Sequence, residues 1–442
     1  MKGKMKKALV IFASALLVLS MTSCMAGSTK TNSSSSSINK GTMTGNLRVT
    51  GQSWFFGKYD FNTAKSDFEA KHPGVTVTYS QIPSSDTATN MLQWSAGTTT
   101  CDITLGGGRE EADEYAAKGY LVPFDDSFFT GTGFTKSDYE PAWLALGNIN
   151  GTQYLIPVCN EVLAVVVNKK MFAAAGLLDS SGNIIPATTW DQLYDYAQKL
   201  TIKTGGQTTQ TGLSIDWGIN FASYTYMACL QGEKGTIYGS DKKTLDFTSS
   251  QASDVFTVWA KLVSNGLSPI DTFADQDAGR TNFKAGKVAM LISAASRWME
   301  ASGILGAANV GVMPIPGTDK NGSLAYTQGV CIPKFSPKIA LAQAFVKEEL
   351  LTTNFLQSAM LKYGKMPPLK SFYTNLQNPS WPSVEKISFA AVSSPVYMGY
   401  NQLDTEFQVE LQNYLRGKQT LAATQSHMTL IESQLNLTTG LK

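Results

Sequence analysis

The sequence predicts an α/β protein with more than one domain, and three observations support this prediction. Strand and helix patterns alternate near the start of the globular part, which indicates a mainly parallel sheet with flanking helices. About 400 of the 442 residues follow a polar N-terminal segment, a length that suits two domains better than one core. The composition is 43% hydrophobic and 10% aromatic, as expected for a globular protein.

The predicted elements follow from hydrophobic periodicity and from the glycines and prolines that interrupt it. The first elements are Leu47–Thr50 (strand), Asn62–Lys71 (helix), Val75–Tyr79 (strand), Ala88–Ser95 (helix), Asp102–Leu105 (strand) and Glu111–Lys118 (helix). Later elements are Val162–Asn168 (strand), Trp190–Lys203 (helix), Ala252–Asn265 (helix), Val288–Ile292 (strand), Pro337–Leu351 (helix) and Leu403–Leu415 (helix). No internal repeat is apparent.

The N-terminal segment predicts export and attachment to a membrane. Lysines at positions 2, 4, 6 and 7 precede Ala8–Leu19, an apolar run too short to span a bilayer. This pattern is typical of a secretory signal peptide, assigned to residues 1–23. Met21-Thr22-Ser23-Cys24 resembles a bacterial lipobox, although Met21 replaces the usual leucine, and the resemblance implies acyl chains on Cys24. The alternative is a secreted protein cleaved nearby, with this cysteine free or removed.

The Ser-rich segment 24–45 predicts a flexible tether, because it contains almost no large apolar side chain to bury. A net charge of +2, without a basic stripe, excludes nucleic acid as an expected partner. Two histidines, His72 and His427, are too few for a His-rich metal centre, so we expect neither a metal nor a cofactor. The cysteines at positions 101, 159, 229 and 331 lie singly in apolar contexts, which favours free thiols over disulfides.

Motifs of hydrolytic enzymes do not form a working set in this sequence. Ser240–Lys243 fits S-x-x-K and Lys203–Gly205 fits K-T-G, but their order is reversed and S-D-N is missing. Neither G-x-S-x-G nor H-E-x-x-H occurs, and Gly106–Gly108 lacks the G-K-[ST] end of a P-loop. A glycosidase needs only two carboxylates, so this class stays open as an alternative, although no pattern of eight βα units appears.

Six segments follow a recognisable order along the chain. They are "FEAKHPGVTVTY" (Phe68–Tyr79), "CDITLGGG" (Cys101–Gly108), "YLIPVCNEVLAVVVNKKMFAAAGL" (Tyr154–Leu177), "TTWDQL" (Thr188–Leu193), "FKAGKVAMLISAASRW" (Phe283–Trp298) and "MPPLKSF" (Met366–Phe372). Together they resemble the extracellular sugar-binding proteins of ABC importers, of the maltose-binding type (family 1). The fifth segment matches the signature F-x-x-G-x-A-M and is the most specific.

The resemblance implies a type II periplasmic-binding-protein-like fold, in which two α/β lobes are joined by three hinge crossings. We place the crossings near Cys159–Leu163, Tyr326–Val330 and Lys362–Met366. The N-terminal lobe would then comprise residues 46–160 and 330–364, and the C-terminal lobe residues 161–329 and 365–442. The ligand is expected in the cleft, and the lobes are expected to close on it by hinge motion.

Aromatic side chains are candidates for stacking on a sugar, because sugars present apolar C–H faces. By their position in the family pattern, Trp54, Trp298 and Tyr224 are expected to contact the ligand, with Tyr226 beside Tyr224. The alternative for each is core packing, since aromatic side chains are more often buried than exposed to a ligand.

Polar candidates come from the same comparison. Glu161 matches a carboxylate at the first crossing, and Gly107 and Arg109 lie on the loop after a parallel strand. Tyr326 and Gln328 lie at the second crossing. Alternatives are a solvated hinge residue for Glu161 and a surface salt bridge to Glu110 or Asp113 for Arg109. Tyr397, with Tyr400 after it, precedes the last long helix predicted and is expected to face the cleft.

These expectations describe a lipid-anchored monomer on the outer face of the cell membrane, extracellular or periplasmic. It captures a sugar or oligosaccharide, docks on ABC permease subunits and transforms nothing chemically. The aromatic-rich, charge-poor composition favours a neutral carbohydrate. The alternatives are the same fold with an amino acid, peptide or polyol as ligand, or an exported carbohydrate-active hydrolase.

Overall fold

The structure, a computed structural model, describes residues 43–83, 87–130, 134–218, 221–317, 322–373, 380–394 and 399–439. The signal peptide, Cys24 and nearly all of the tether lie outside the described residues, as does Tyr397. From Met43 onward the chain forms one compact unit. Within the described ranges, no helix combines the length and the apolar character needed to cross a lipid bilayer.

The strands are β1 (Gly45–Gln52), β2 (Val75–Ile82), β3 (Ile103–Gly108), β4 (Asn148–Ile149), β5 (Thr152–Gln153), β6 (Ile156–Asn168), β7 (Ile202–Thr204), β8 (Gln207–Ile215), β9 (Val288–Ala294), β10 (Val310–Met313), β11 (Leu324–Cys331) and β12 (Val392–Ser393). The helices are α1 (Ser53–Phe56), α2 (Phe61–Lys71), α3 (Thr87–Ser95), α4 (Arg109–Ala117), α5 (Pro141–Ala145), α6 (Lys169–Ala174), α7 (Trp190–Leu200), α8 (Phe221–Lys234), α9 (Ser250–Ser264), α10 (Ala278–Lys284), α11 (Arg297–Leu305), α12 (Ile339–Phe345), α13 (Thr353–Tyr363), α14 (Trp381–Ala390), α15 (Tyr400–Leu415) and α16 (Leu421–Thr439). Val346–Leu350 extends α12 with a wider turn.

The first βαβ unit forms as the sequence predicts. β1 pairs in parallel with both β2 and β3. The connecting helix α2 begins where the Asp60 carboxylate accepts a 3.0 Å hydrogen bond from the Thr63 amide. The helix buries Phe61, Ala64 and Phe68 against the sheet, and Gly74 turns the chain into β2. The order of strand, helix, strand, helix and strand is therefore confirmed.

The strand β6 has 13 residues and is buried along its whole length. Its first half pairs antiparallel with β11, and its second half pairs antiparallel with β9 and β10. The sequence predicts only Val162–Asn168 as a strand, because Pro157, Asn160 and Glu161 interrupt the apolar pattern before it. The strand therefore begins earlier than predicted.

In the described residues, ten strands form one sheet in the order β2-β1-β3-β11-β6-β9-β8-β7, with β10 beside β6 and β12 beside β11. The pairs β1–β2, β1–β3, β8–β9 and β11–β12 are parallel. The predicted α/β class is confirmed, and the central strands β6 and β11 add antiparallel pairs. Gly329 sits at an irregularity in the β6–β11 ladder, where a Cβ atom would overlap the Ile156 carbonyl oxygen.

Two hydrophobic clusters flank this arrangement. One is drawn from residues 47–159 and 330–369, and the other from residues 163–326 and 400–435. A third cluster contains Trp143, Trp298 and Trp381. The four cysteines of the globular part are free and buried within these packed regions or a smaller one, in agreement with the expectation from sequence.

Two helices show where local patterns mislead. α7 ends at Leu200, before the predicted end at Lys203, because Ile202–Thr204 pairs with β8 as a hairpin. The sequence pattern predicts no helix at α8, where every residue from Phe221 to Gly232 is buried. A helix buried on all sides has no polar stripe, so its period cannot be recognised from the sequence.

Candidate functional site

The candidate site lies where the parallel strands end, as is usual for ligand sites in α/β sheets. Trp54 follows β1, Arg109 follows β3, Asp216 follows β8 and Arg297 follows β9 shortly after the strand ends. Contacts between residues far apart in the sequence join these strand ends, for example the ion pair between Lys58 and Glu300. The fold therefore gathers side chains from both predicted lobes.

The three segments predicted as crossings lie side by side. The Asn160 amide donates to the Met366 carbonyl oxygen at 3.0 Å, and the Met366 amide donates to the Asn160 carbonyl oxygen at 3.1 Å. On the other side of β6, Glu161 is paired with Tyr326 of β11. Glu161 is thus placed between the second and third crossing segments.

Glu161 is buried, with 1% of its surface exposed, and it forms an ion pair with Lys365. The same carboxylate oxygen accepts a 2.7 Å hydrogen bond from the Ser296 hydroxyl. The second oxygen, Oε2, has no hydrogen-bond partner among the described residues. A buried carboxylate is tolerated because it is paired, and its free oxygen can accept a hydrogen bond from a ligand hydroxyl.

Lys365 was not a sequence candidate, although it falls within the third predicted crossing. Its ammonium is also 3.3 Å from the Ser296 hydroxyl and 5.7 Å from the centre of the Trp54 ring. A single lysine before Met366-Pro367 belongs to no recognisable motif. Its position within the third predicted crossing is the only feature of the sequence that could have indicated a role at the site. The structure shows that it contacts Glu161 in β6, Ser296 just before α11 and the ring of Trp54 in α1.

Trp54 is half-buried, and its indole N–H donates to the Gln52 side chain at 2.5 Å. One ring edge packs against Phe55, with the ring centres 5.2 Å apart. Part of the indole surface therefore remains open beside the Lys365 ammonium. Among the predicted stacking residues, this position best fits a ligand contact.

Tyr224, Tyr326 and Tyr400 are packed together, with ring centres 4.9 Å (Tyr224–Tyr326) and 5.8 Å (Tyr224–Tyr400) apart. The Tyr224 hydroxyl donates to the Glu110 carboxylate, and burial raises the pKa of both groups. Tyr226 is also buried and packs on Phe247. In this structure these rings support the site from inside the core, and their faces are covered by protein.

Trp298 differs from the expectation for a stacking residue. It has no exposed surface and meets Trp381 edge to face at 5.3 Å between ring centres. The family signature ends here, but the side chain turns into the core as an early residue of α11. Core packing, the alternative considered from sequence, is the role that this placement supports.

Arg297, the residue before Trp298, instead joins an ionic group. Its guanidinium Nη1 lies 2.8 Å from Glu300, and the Lys58 ammonium reaches the same Glu300 oxygen at 3.1 Å. Burial raises the pKa of Glu300, but Arg297 and Lys58 outweigh it and lower that pKa below its usual value. Lys58 also lies 3.9 Å from the centre of the Tyr363 ring.

Asp216 and Arg280 form a second buried pair, at 2.8 Å between Oδ2 and Nε. The Ser293 hydroxyl donates to the same Asp216 oxygen at 2.5 Å. Asp216 Oδ1 and Arg280 Nη2 have no partner in the part of the chain that the structure describes. Neither residue was a sequence candidate, since neither belongs to a motif that the sequence analysis considered.

The remaining candidates lie along β3 and β11. Gly107 is paired with Gly329, and Gln328 with Gly108, while the Gln328 Oε1 atom is buried without a partner in the described ranges. Arg109 donates to the carbonyl oxygens of residues 145 and 148 at 3.5 and 3.3 Å. The alternative of an Arg109 salt bridge to Glu110 or Asp113 is not formed among the described residues.

The arrangement offers charged groups, hydroxyls and one partly open aromatic surface. No group of three or more histidine, cysteine, aspartate or glutamate residues in the described ranges is placed to hold a metal ion. The chemistry that these side chains can perform is the recognition of hydroxyl-bearing or charged groups through hydrogen bonds and stacking.

Comparison with known sequences gives a consistent result. Residues 58–359 match the sequence profile of a family described as "Bacterial extracellular solute-binding protein". A protein of Brucella abortus named as a binding protein is 24% identical over 236 residues, covering 53% of this chain and 54% of that protein. The chain thus spans about half the length of the curated relatives that it matches.

Solved structures show the same fold over nearly the whole chain. The GacH receptor of Streptomyces glaucescens, solved without ligand and with acarbose, is 22% identical and superimposes with a TM-score of 0.71 over 88% of this chain and 99% of its own. Maltose-bound MalE3 of T. maritima is 17% identical, with a TM-score of 0.73 over 89% and 99% of the two chains. The expected type II fold with two lobes is confirmed.

Proposed function

This chain belongs to the family of bacterial extracellular solute-binding proteins, and we propose that it captures a sugar or oligosaccharide for delivery to the membrane subunits of an ABC transporter. The observation that carries the proposal is the partly open Trp54 ring beside the buried Glu161, whose Oε2 atom lacks a partner among the described residues. An aromatic ring stacks on sugar C–H groups, and a carboxylate accepts hydrogen bonds from hydroxyls. The acarbose and maltose complexes of the two similar structures support a sugar as ligand.

In this proposal the N-terminal lobe comprises residues 46–160 and 330–364, and the C-terminal lobe residues 161–329 and 365–442. The support comes from the two main hydrophobic clusters, whose members divide along nearly the same boundaries. The three crossing segments meet at β6 and β11. This arrangement suits a hinge at which small backbone rotations in a few residues open and close the two lobes. Ligand exchange would then require Lys58 and Glu300 to separate.

The ligand contacts in this proposal are Trp54, Glu161, Arg109, Gly107 and Gln328. Trp54 stacks on the sugar ring, while Glu161 and Gln328 present buried oxygen atoms without partners in the described ranges. The buried rings of Tyr224 and Tyr326 pack against each other and, in this proposal, support the site from the core. Tyr397 remains a prediction, since it lies outside the described residues.

The anchoring at the outer membrane face, through acyl chains on Cys24, also belongs to this proposal. Its support is the signal-peptide pattern, the lipobox resemblance and the Ser-rich tether that follows. The protein acts as a monomer that binds and releases its ligand unchanged, and the transporter's other subunits supply the energy.

The test is thermal unfolding of residues 27–442 with a panel of mono- and oligosaccharides, amino acids and peptides. A ligand at 100 times its dissociation constant adds about 2.7 kcal/mol to stability, so the midpoint should rise by a few degrees. Trp54→Ala should abolish the rise, whereas Trp54→Phe, which keeps an aromatic face, should retain part of it. A rise with amino acids or peptides alone would refute the sugar, and a product formed from a sugar would refute the role as a pure binding protein.

A further inference from the structure

Three cations and two carboxylates form one group, which we call the cation cluster: Lys58, Arg297, Lys365, Glu161 and Glu300. Within it, Glu161 and Lys365 are buried, and the other three side chains are partly buried. Glu300 serves both Lys58 and Arg297, at 3.1 and 2.8 Å. Glu161 is paired with Lys365. The cluster therefore contains one positive charge more than its carboxylates neutralise.

Other carboxyl groups close to the cluster are already engaged. Asp216 is held by Arg280 and by the Ser293 hydroxyl, at 2.8 and 2.5 Å. Glu110 and Asp113 face Arg109 instead, and burial, the main influence on both, raises their pKa values. Asp277, the second partner of Arg280, is mostly exposed and screened by water. Asp216 also interacts with Arg297, but Arg280 shares this carboxylate, so the three buried or partly buried carboxylates of this region are one fewer than its four cations.

Two atoms of the cluster lack partners among the described residues, and they require different partners. Arg297 Nε is a buried donor, so it needs an acceptor. Glu161 Oε2 is a buried acceptor, so it needs a donor. Arg297 is also the first residue of the nine-residue helix α11, whose N-terminal end favours negative charge. The group that completes this cluster therefore carries both an anionic acceptor and a hydroxyl donor.

We propose that the solute is an acidic sugar, whose anionic substituent is bound by Arg297 and Lys58 while a ring hydroxyl donates to Glu161. This inference rests on the proposed function and narrows its ligand class. The guanidinium fork matches the planar carboxylate of a uronic acid, and phosphate or sulfate esters share the same anionic chemistry. Trp54, 5.7 Å from the Lys365 ammonium, is placed to stack on the sugar ring.

A neutral sugar, the class favoured by composition, satisfies this site less well. Its hydroxyls suit Glu161 Oε2, but they leave the extra positive charge of this partly buried cluster without a counter-charge. A small carboxylate without a ring neutralises the cation but leaves the Trp54 face without a partner.

The ligand test is calorimetric titration of residues 27–442 with matched pairs of oligosaccharides. The pairs are oligogalacturonates, oligomannuronates and glucuronic-acid-containing xylo-oligosaccharides, each beside its methyl ester, which keeps the skeleton and removes the charge. A sulfated and a phosphorylated disaccharide distinguish the other anions from carboxylate. We expect one acidic ligand to bind at least about tenfold more tightly than its neutral counterpart, with a strong dependence on salt.

Neutral sugars that bind as tightly as every acidic one would overturn this inference and leave the proposed function intact. Failure of all sugars in the panel, acidic and neutral, would overturn both. Comparison of each acid with its methyl ester therefore distinguishes a failure of the acidic-sugar proposal from a failure of the proposed sugar-binding function.

Variants of Arg297 test the assignment of the anion site. Arg297→Gln should reduce the preference for acid over ester by about tenfold, while Arg297→Lys should keep part of that preference. Arg416→Gln, the same change at an exposed arginine after α15, is the matched control and should leave both affinities unchanged. Circular dichroism melts show whether each variant is folded. An unchanged acid preference in a folded Arg297→Gln variant would refute the assignment.

Discussion

Removal of the Lys365 ammonium tests whether Glu161 depends on it in the folded state. In Lys365→Met the carboxylate would keep the Ser296 hydrogen bond but lose its ion pair in a site where 1% of its surface is exposed. Methionine fills most of the lysine volume, so the change removes charge with little loss of packing. The double variant Glu161→Gln with Lys365→Met removes both charges.

The two variants should differ strongly in stability. An uncompensated buried charge costs about 3–5 kcal/mol, whereas replacement of a whole buried pair by neutral groups is often close to neutral. For a chain of this length, that cost lowers the melting temperature by roughly 4–6 °C.

Urea unfolding at pH 7, followed by far-ultraviolet circular dichroism, measures these differences. The expected order of stability at pH 7 is wild type, then the double variant close to it, then Lys365→Met well below. A single variant as stable as the wild type would refute the reasoning, because Glu161 would then not depend on Lys365 in the folded state. A double variant less stable than the single one would refute it as well.

Three further predictions concern other parts of the fold. Gly329→Ala should destabilise the protein by about 1–3 kcal/mol, measured by urea unfolding, because its Cβ would overlap the Ile156 carbonyl oxygen. Asp404, whose pKa is raised by burial to about 7, binds a proton that the unfolded chain releases near pH 4. This group should therefore make stability fall by roughly 4 kcal/mol as the pH rises from about 4 to about 7, and Asp404→Asn should flatten the measured slope. Lys58→Met should weaken ligand binding by up to about fivefold in titration calorimetry, since it removes a partly exposed pair to Glu300 that forms between the proposed lobes.

Hydrophobic patterns predict a helix or strand correctly where one side of the element faces water and the other side packs in the core. The helix α2 keeps Phe61, Ala64 and Phe68 on its buried side, and β2 alternates buried and exposed residues at its start. The same reasoning fails at α8, whose first twelve residues are all buried, so that no contrast marks its period. The antiparallel pairing of β6 with β11 depends on residues more than 150 positions apart and cannot be read locally.

A residue of the candidate site can be predicted from sequence only where its position in a family motif determines its role. The family segment predicts Glu161 as a ligand contact, and the structure shows this residue paired with Lys365 and hydrogen-bonded to Ser296. Trp298 was chosen from the end of a signature, but the start of α11 directs it into the core and leaves Arg297 in the ionic group. Lys365 and Lys58 are single lysines whose importance depends on tertiary contacts, which no local sequence rule contains.

The position of β6 has a consequence for how this chain acquires its structure. Its first half completes its pairing only when β11, from residue 324 onward, has been synthesised and has arrived beside it. This pairing joins residues more than 150 positions apart in the sequence. Because a long loop must close before the two strands can pair, we expect the formation of this part of the sheet to be slow.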